Sequence, residues 1–241
     1  MEELKKLLTQ NKKVAVLTGA GISHESGIPT FRGAGGYWKQ YKAEELATPE
    51  AFQRDPKLVW EWYDYRRGVC AKAKPNPAHE VVFKMESYFP EFLVITQNVD
   101  GLHRRAGNKK IFEIHGNIFT ARCTSCSNRI SLGDEPLKEI PLKCNVCGSL
   151  ARPHIVWFGE SYDGDILDQC YSFLATTELI FVIGTSGQVS VPVNMAKYAA
   201  TKGAYCIEVN PEETSVTDFT DTFLQGKAGE VLPQLWEGIS N

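Results

Sequence analysis

The chain has 241 residues, 43% of them hydrophobic and 23% charged, with a formal net charge of -3. That length carries one large domain, or a main domain with inserts, while a charge so close to neutral with no long basic run excludes an electrostatic footprint for nucleic acid. No apolar stretch approaches the ~18 residues that a membrane span requires.

In chain order, residues 1–11 (MEELKKLLTQN) place apolar residues at helical spacing behind an acidic start, which is wrong for a signal or transit peptide and leads us to expect a cytoplasmic protein. Short, continuous, β-branched runs predict strands at Val14–Thr18, Phe92–Thr96, Ile111–Ile114, Leu179–Ile183 and Tyr205–Val209. Such runs suit a parallel sheet buried on both faces. Helical segments between them, such as Ala78–Ser87 and Val191–Thr201, give an α/β alternation. The expected fold is a doubly wound parallel sheet, a Rossmann-like large lobe from about residues 1–35, 79–118 and 154–241. A helical insert (36–78) and an insert carrying paired cysteines (119–153) would form a smaller lobe of the same domain.

The first strand runs into Gly19-Ala20-Gly21-Ile22-Ser23. Glycines there let the backbone turn sharply and approach a phosphate, which the next helix N-terminus stabilises. A plain tight turn is the alternative. A hydride-transfer fingerprint wants a third glycine where this chain has His24, and an acid about 20 residues on at the end of a second strand. Residues 37–43 (YWKQYKA) offer neither strand nor acid, so an oxidoreductase is disfavoured. The loop continues through Gly27-Ile28-Pro29-Thr30-Phe31-Arg32-Gly33.

GAGIS followed by GIPTFRG resembles the signature of the sirtuin family of NAD-dependent protein deacylases, and the likeness extends from about residue 14 to residue 229. It implies that NAD is consumed as a co-substrate, with contacts from Gly19, Ala20, Gly21, Ile22, Thr30, Phe31, Arg32 and Trp38. It also implies acyl-lysine proteins or peptides as substrates; the charge and the lack of a long apolar stretch lead us to expect no nucleic-acid or membrane partner.

In Val59–Arg67 (VWEWYDYRR), Tyr63 and Arg66 lie three apart and so share a face of a helix. A guanidinium beside a phenol can hold a carboxylate; an amphipathic helix with exposed charge is the plainer alternative. Sirtuins that remove succinyl, malonyl or glutaryl groups carry this Tyr-x-x-Arg pair. Ala47 matches the small residue that widens their acyl pocket, and residues 33–38 (GAGGYW) look like the same subgroup. The resemblance implies removal of acidic acyl groups, with weaker deacetylation.

After the Phe92–Thr96 strand comes Gln97-Asn98-Val99-Asp100-Gly101-Leu102-His103. Polar residues at strand C-termini are site candidates, although Asp100 could simply cap the next helix. The family likeness implies NAD contacts from Gln97, Asn98 and Asp100. His115-Gly116 follows the next strand. An imidazole titrating near neutrality suits a ribose hydroxyl proton, and the matching strand-His-Gly element implies that His115 is the general base. His103 is not given that role.

Cys123-x2-Cys126 and Cys144-x2-Cys147 stand 17 residues apart, which is zinc-ligand spacing. Four thiolates close a tetrahedral site, so the zinc should be structural rather than catalytic, and should fold an insert poor in apolar residues. Cys70, Cys170 and Cys206 read as core thiols. Val156, Trp157, Phe158 and Gly159 resemble the family's peptide-pairing segment, with a buried aromatic strand as the alternative. Gly184, Thr185, Ser186, Asn210, Pro211 and Glu212 look like adenosine-ribose contacts, and Ala228 matches a loop against the adenine. A mono-ADP-ribosyltransferase, a chiefly deacetylating enzyme and a non-catalytic NAD or zinc-ribbon binding protein remain as rival readings.

Overall fold

The computed structural model describes residues 2–29, 37–38, 41–237 and 239, with the backbone alone at residues 2, 3, 5, 37, 38, 43 and 44. The first half of the chain forms α1 (Glu2–Leu7), β1 (Val14–Thr18), α2 (Gly21–His24), β2 (Tyr37–Trp38), β3 (Tyr41–Lys42), α3 (Ala43–Leu46), α4 (Pro49–Arg54), α5 (Pro56–Lys72), α6 (Pro77–Tyr88), β4 (Phe92–Thr96), α7 (Leu102–Ala106) and β5 (Ile111–Glu113). The second half forms β6 (Gly116–Cys123), β7 (Arg129–Ser131), β8 (Ala151–Ile155), α8 (Gly164–Leu174), β9 (Leu179–Ile183), α9 (Ser190–Thr201), β10 (Tyr205–Asn210), β11 (Thr222–Gln225) and α10 (Ala228–Trp236).

Six parallel strands lie in the order β11-β10-β9-β1-β4-β5. The chain builds outward from β1 to β5, then returns to β9 and builds the other way. That reversal beside β1 opens a crevice beyond the strand C-termini, the usual ligand position in such sheets. Every residue of β1, β4 and β9 is buried, as their unbroken apolar runs require. Alternate residues serve opposite faces: Val14 and Val16 join a core with α1, α6 and α10, while Ala15 and Leu17 join one with α8 and α9. The edge strand β11 was not expected; its half-buried TFLQ lacks the apolar run that marks the central strands.

Residues 36–78 contain α3, α4 and α5 together with the β2–β3 hairpin. Thr48 and Asp55 cap α4 and α5 by accepting from Ala51 N and Leu58 N, and each helix opens with proline. The cysteine-bearing insert folds on an antiparallel sheet, β7-β6-β8, that starts at Gly116 and ends at Ile155. Its few apolar residues do not form a core of their own. Ile118, Ala121, Leu132, Ala151 and Ile155 share one with Val59, Trp60, Trp62 and Tyr63 of α5. Trp60 Nε1 donates to Ala151 O at 2.8 Å, and buried Arg67 pairs with Asp64 and donates to the carbonyls of Gly133 and Glu135.

Between α6 and α7 the rings of His79 and His103 lie 4.9 Å apart. Burial pushes His103 down to about 4, and burial with the neighbouring His103 pushes His79 down to about 2. The unfolded chain protonates both near 6.5, so their contribution to stability is complete above that pH and is lost as pH falls towards the folded values. Unfolding near pH 5 should therefore take up about one proton per histidine. His103→Gln should lower the uptake by about one, read from the pH dependence of urea unfolding; an unchanged slope would contradict the assignment.

Candidate active site

A cavity of about 540 Å³ occupies the crevice at the C-terminal ends of β1, β4 and β9. Its floor is a backbone seam between two loops. Gly19 N donates to Ile183 O at 2.9 Å, and Gly21 N to Gly184 O at 2.8 Å. A Cβ on Gly21 would lie 2.7 Å from Gly184 Cα, and one on Gly184, whose φ is +60°, 2.5 Å from Ile22 N. These glycines let the loops meet, as well as leaving the crevice open.

Behind the floor runs a buried polar chain. The His103 ring lies 3.0 Å from Thr18 Oγ1, which donates to Thr96 Oγ1, and Asn98 N donates to the same Thr96 oxygen. Asn98 Nδ2 reaches Gly19 O and Ser23 Oγ, each at 3.0 Å. Ser23 Oγ donates to Asp100 Oδ2 at 2.8 Å, and Leu102 N donates to Asp100 Oδ1. Gly101 rather than Asp100 is the N-cap of α7, but Asp100 accepts from the helix's first N–H and also braces the cavity; burial raises its pKa against those two hydrogen bonds. The bonds around Asn98, Ser23 and Asp100 hold the cavity-lining faces of Asn98 and Asp100 in place.

His115 projects from the end of β5. Its Nδ1 lies 2.8 Å from Gln97 O, an acceptor only, so Nδ1 carries the proton and Nε2 keeps its lone pair. Tyr162 Oη sits 2.9 Å from Nε2 and is the donor there. Burial lowers the His115 pKa against the hydrogen bond to Gln97 O, which favours this neutral form. Gly116 has φ +86°, and its backbone passes so near β8 that a Cβ would lie 2.0 Å from His154 O.

Tyr63, Arg66 and Cys70, at i, i+3 and i+7 of α5, line the opposite wall. Trp157 Nε1 donates to Tyr63 Oη at 2.8 Å, leaving the phenol proton to be donated elsewhere. Burial pushes the Tyr63 pKa up to about 12, with Arg66 opposing it. After β8 the chain crosses the cavity mouth as a turn rather than a strand: Val156 N donates to His115 O, Trp157 N to Glu160 Oε2 and Phe158 N to Ala47 O. Trp157 is buried, while Phe158 is 43% exposed.

The four insert cysteines place their sulfurs within 4.8 Å of one another, with Cys123–Cys147 at 3.4 Å and Cys126–Cys144 at 3.7 Å. A Zn–S length of ~2.3 Å in a tetrahedron puts sulfurs about 3.8 Å apart. Ser125 N and Cys126 N donate to Cys123 Sγ, and Val146 N to Cys144 Sγ, as metal-bound thiolates favour. The residues fit a structural zinc ion.

The Sir2 family model matches residues 19–191. This chain belongs to the Sir2 family. An NAD-dependent protein deacylase of Aquifex aeolicus is 52% identical over 95% of each chain. A Sir2 homologue–NAD complex is 42% identical, with a TM-score of 0.92 over 100% of this chain and 94% of that one. A mutant Sir2 homologue with 2′-O-acetyl ADP ribose is also 42% identical, with a TM-score of 0.93 over 100% and 96%. A Sir2–p53 peptide–NAD+ complex is 31% identical, with a TM-score of 0.84 over 98% and 97%.

In this Sir2-family chain the cavity gathers Gly19, Ala20, Gly21, Ala47, Tyr63, Arg66, Gln97, Asn98, Asp100, His115, Val156–Gly159 and Gly184–Ser186. Ile22 does not line it; its side chain lies in the core under the sheet. Asn210, Pro211, Glu212 and Ala228 also lie outside its walls, with Asn210 Nδ2 bonded to Thr185 O at 2.7 Å. Thr30, Phe31 and Arg32 fall outside the described residues, as does the Trp38 side chain. Cys170 and Cys206 are buried core thiols, but Cys70 lines the cavity, a correction to its reading as a core thiol alone. Sequence reasoning missed Tyr162, which carries no motif of its own and reaches the site through the fold, while Glu160 closes the Val156–Gly159 segment and lines the cavity with it.

Atomic emission should find about one zinc per chain. Its removal by a strong chelator should expose four reactive thiols and unfold the β7-β6-β8 sheet; an unchanged circular dichroism spectrum after complete removal would contradict a structural role.

Proposed function

We propose that this protein is an NAD-consuming protein-lysine deacylase that prefers acyl groups ending in a carboxylate (succinyl, malonyl or glutaryl) and acts more weakly on acetyl-lysine. One observation carries the reading: a single cavity is lined by His115, Asn98 and Asp100 and also by Tyr63 and Arg66. The relative's deacylase activity and the neighbours bound to NAD, peptide and 2′-O-acetyl ADP ribose support it.

Bound NAD would supply an electrophilic ribose carbon for the acyl oxygen to attack, nicotinamide as leaving group and a ribose hydroxyl to receive the acyl group; with one water consumed to release the amine, the products are nicotinamide, free lysine and O-acyl-ADP-ribose. In this reading the braced Asn98 and Asp100 face the nicotinamide end. Gly19–Gly21, Gln97 and Gly184–Ser186 border the rest of the dinucleotide. His115 accepts the ribose hydroxyl proton at Nε2, while its Nδ1–H stays bonded to Gln97 O and fixes the ring. Tyr162 moves aside to free that lone pair. Val156–Gly159 borders the peptide, and Ala47 leaves room for the acyl chain. Tyr63, protonated at any working pH, donates to the acyl carboxylate beside the Arg66 guanidinium.

Mass spectrometry of a reaction with NAD and succinyl- or acetyl-lysine peptide should detect nicotinamide and O-acyl-ADP-ribose; ADP-ribose attached to protein would favour a transferase. Arg66→Met should lower kcat/KM for succinyl-lysine about 10- to 100-fold, the worth of one charged hydrogen-bonded contact, with little effect on acetyl-lysine. Equal losses would sink the acidic preference. His115→Tyr should abolish turnover in a folded, zinc-loaded protein. The acid limb of the wild-type kcat/KM profile should lie below the ordinary histidine value, because burial lowers the His115 pKa; a limb above it would exclude His115 as the base.

A further inference from the structure

The zinc-bearing sheet carries a feature that the deacylation chemistry does not use. Arg122 on β6 stands directly opposite Arg129 on β7 and opposite Arg152 on β8. Cross-strand partners share a face of the sheet, so three guanidinium groups form one row across β7-β6-β8. Like charges placed directly opposite one another destabilise a sheet, so the row calls for anions.

The protein supplies one carboxylate to it. Glu160 accepts from Arg152 Nη1 at 2.5 Å and Nη2 at 2.9 Å, and from Arg122 Nη2 at 3.4 Å. Arg129 is exposed and has no ion pair or hydrogen bond among the described residues. Exposure rises along the row, from a side chain 9% exposed at Arg152, through 34% at Arg122, to the surface at Arg129. The buried end adjoins the active site: the Arg152 guanidinium lies 3.3 Å from the centre of the Trp157 ring, and both Trp157 and Glu160 line the cavity.

We propose that the Arg152–Arg122–Arg129 row is the docking surface for an acidic segment of the acylated protein, next to the modified lysine in its sequence. This rests on the reading of the cavity as a site for acyl-lysine. An extended chain leaving the cavity past Trp157 and Glu160 meets the row within a few residues. Asp or Glu side chains there give Arg129 the partner that the fold withholds, and Arg122 a second one beyond the Glu160 it shares with Arg152. The rival role is internal, with the row balancing the negative charge of four thiolates around zinc, since Arg122 adjoins Cys123.

The test uses the zinc-loaded full chain with peptides that carry the same acyl-lysine and are flanked by Glu, Gln or Lys. Wild-type kcat/KM should rank Glu over Gln over Lys. The difference should lie in KM and shrink as salt is raised. Arg129→Gln and Arg122→Gln should each lower the value for the Glu peptide about two- to fivefold, the range of partly exposed charge pairs, and leave the Gln peptide unchanged. Their zinc content should stay at the wild-type level. Equal wild-type rates on all three peptides would overturn the proposal, as would equal losses on the Glu and Gln peptides or zinc loss in both variants. Fluorescence anisotropy of the labelled Glu peptide separates the two levels of the argument. Binding that weakens in Arg129→Gln supports the docking surface even if no peptide is turned over, whereas turnover of the Gln peptide without charge-dependent binding supports the deacylase and removes the docking surface.

Discussion

Two loops, after β1 and after β9, meet backbone to backbone at Gly19, Gly21 and Gly184, with hydrogen bonds of 2.9 and 2.8 Å across the seam. No side chain fits between them, since a Cβ at any of the three would fall within 2.8 Å of the facing backbone. The seam closes the sheet at its point of reversal and forms the cavity floor. Behind it, the chain from His103 through Thr18, Thr96 and Asn98 depends on the register of β1 with β4, which sets Thr18 opposite Thr96. A shift of one residue would turn Thr18 to the other face and leave His103 Nε2 and Thr96 Oγ1 without the Thr18 hydroxyl.

The other walls come from residues far away in sequence. α5 presents Tyr63, Arg66 and Cys70 because it is pinned along its length: Trp60 holds Ala151, Arg67 holds the loop at Gly133 and Glu135, and Tyr63 receives the Trp157 indole. The cysteine-bearing sheet in turn directs the chain through Trp157 and Glu160 at the cavity mouth. Zinc and catalysis are therefore linked by packing, although a closed four-thiolate site takes no part in the chemistry.

Much of the architecture was legible in the chain. Buried parallel strands need unbroken apolar runs, and β1, β4 and β9 carry them in full. β11 does not, because an edge strand need not bury both faces, and so it escaped notice. The cysteine spacing pointed to zinc because metal ligands must converge within a few ångströms, and their sulfurs do. The insert's dependence on α5 was not legible, since periodicity identifies an apolar face but not the face it meets.

The sequence by itself determined the parallel sheet, the zinc ligand set and the family, because hydrophobic period, ligand spacing and motif identity are local properties of the chain. Only the tertiary structure decided that His115 is held as the Nδ1–H tautomer by Gln97 O, that Tyr162 covers its Nε2, and that Ile22 lies beneath the cavity rather than in its wall. It also decided that Arg122, Arg129 and Arg152 fall into one row. Those facts depend on register, burial and the approach of distant backbones, none of which any single stretch of residues encodes.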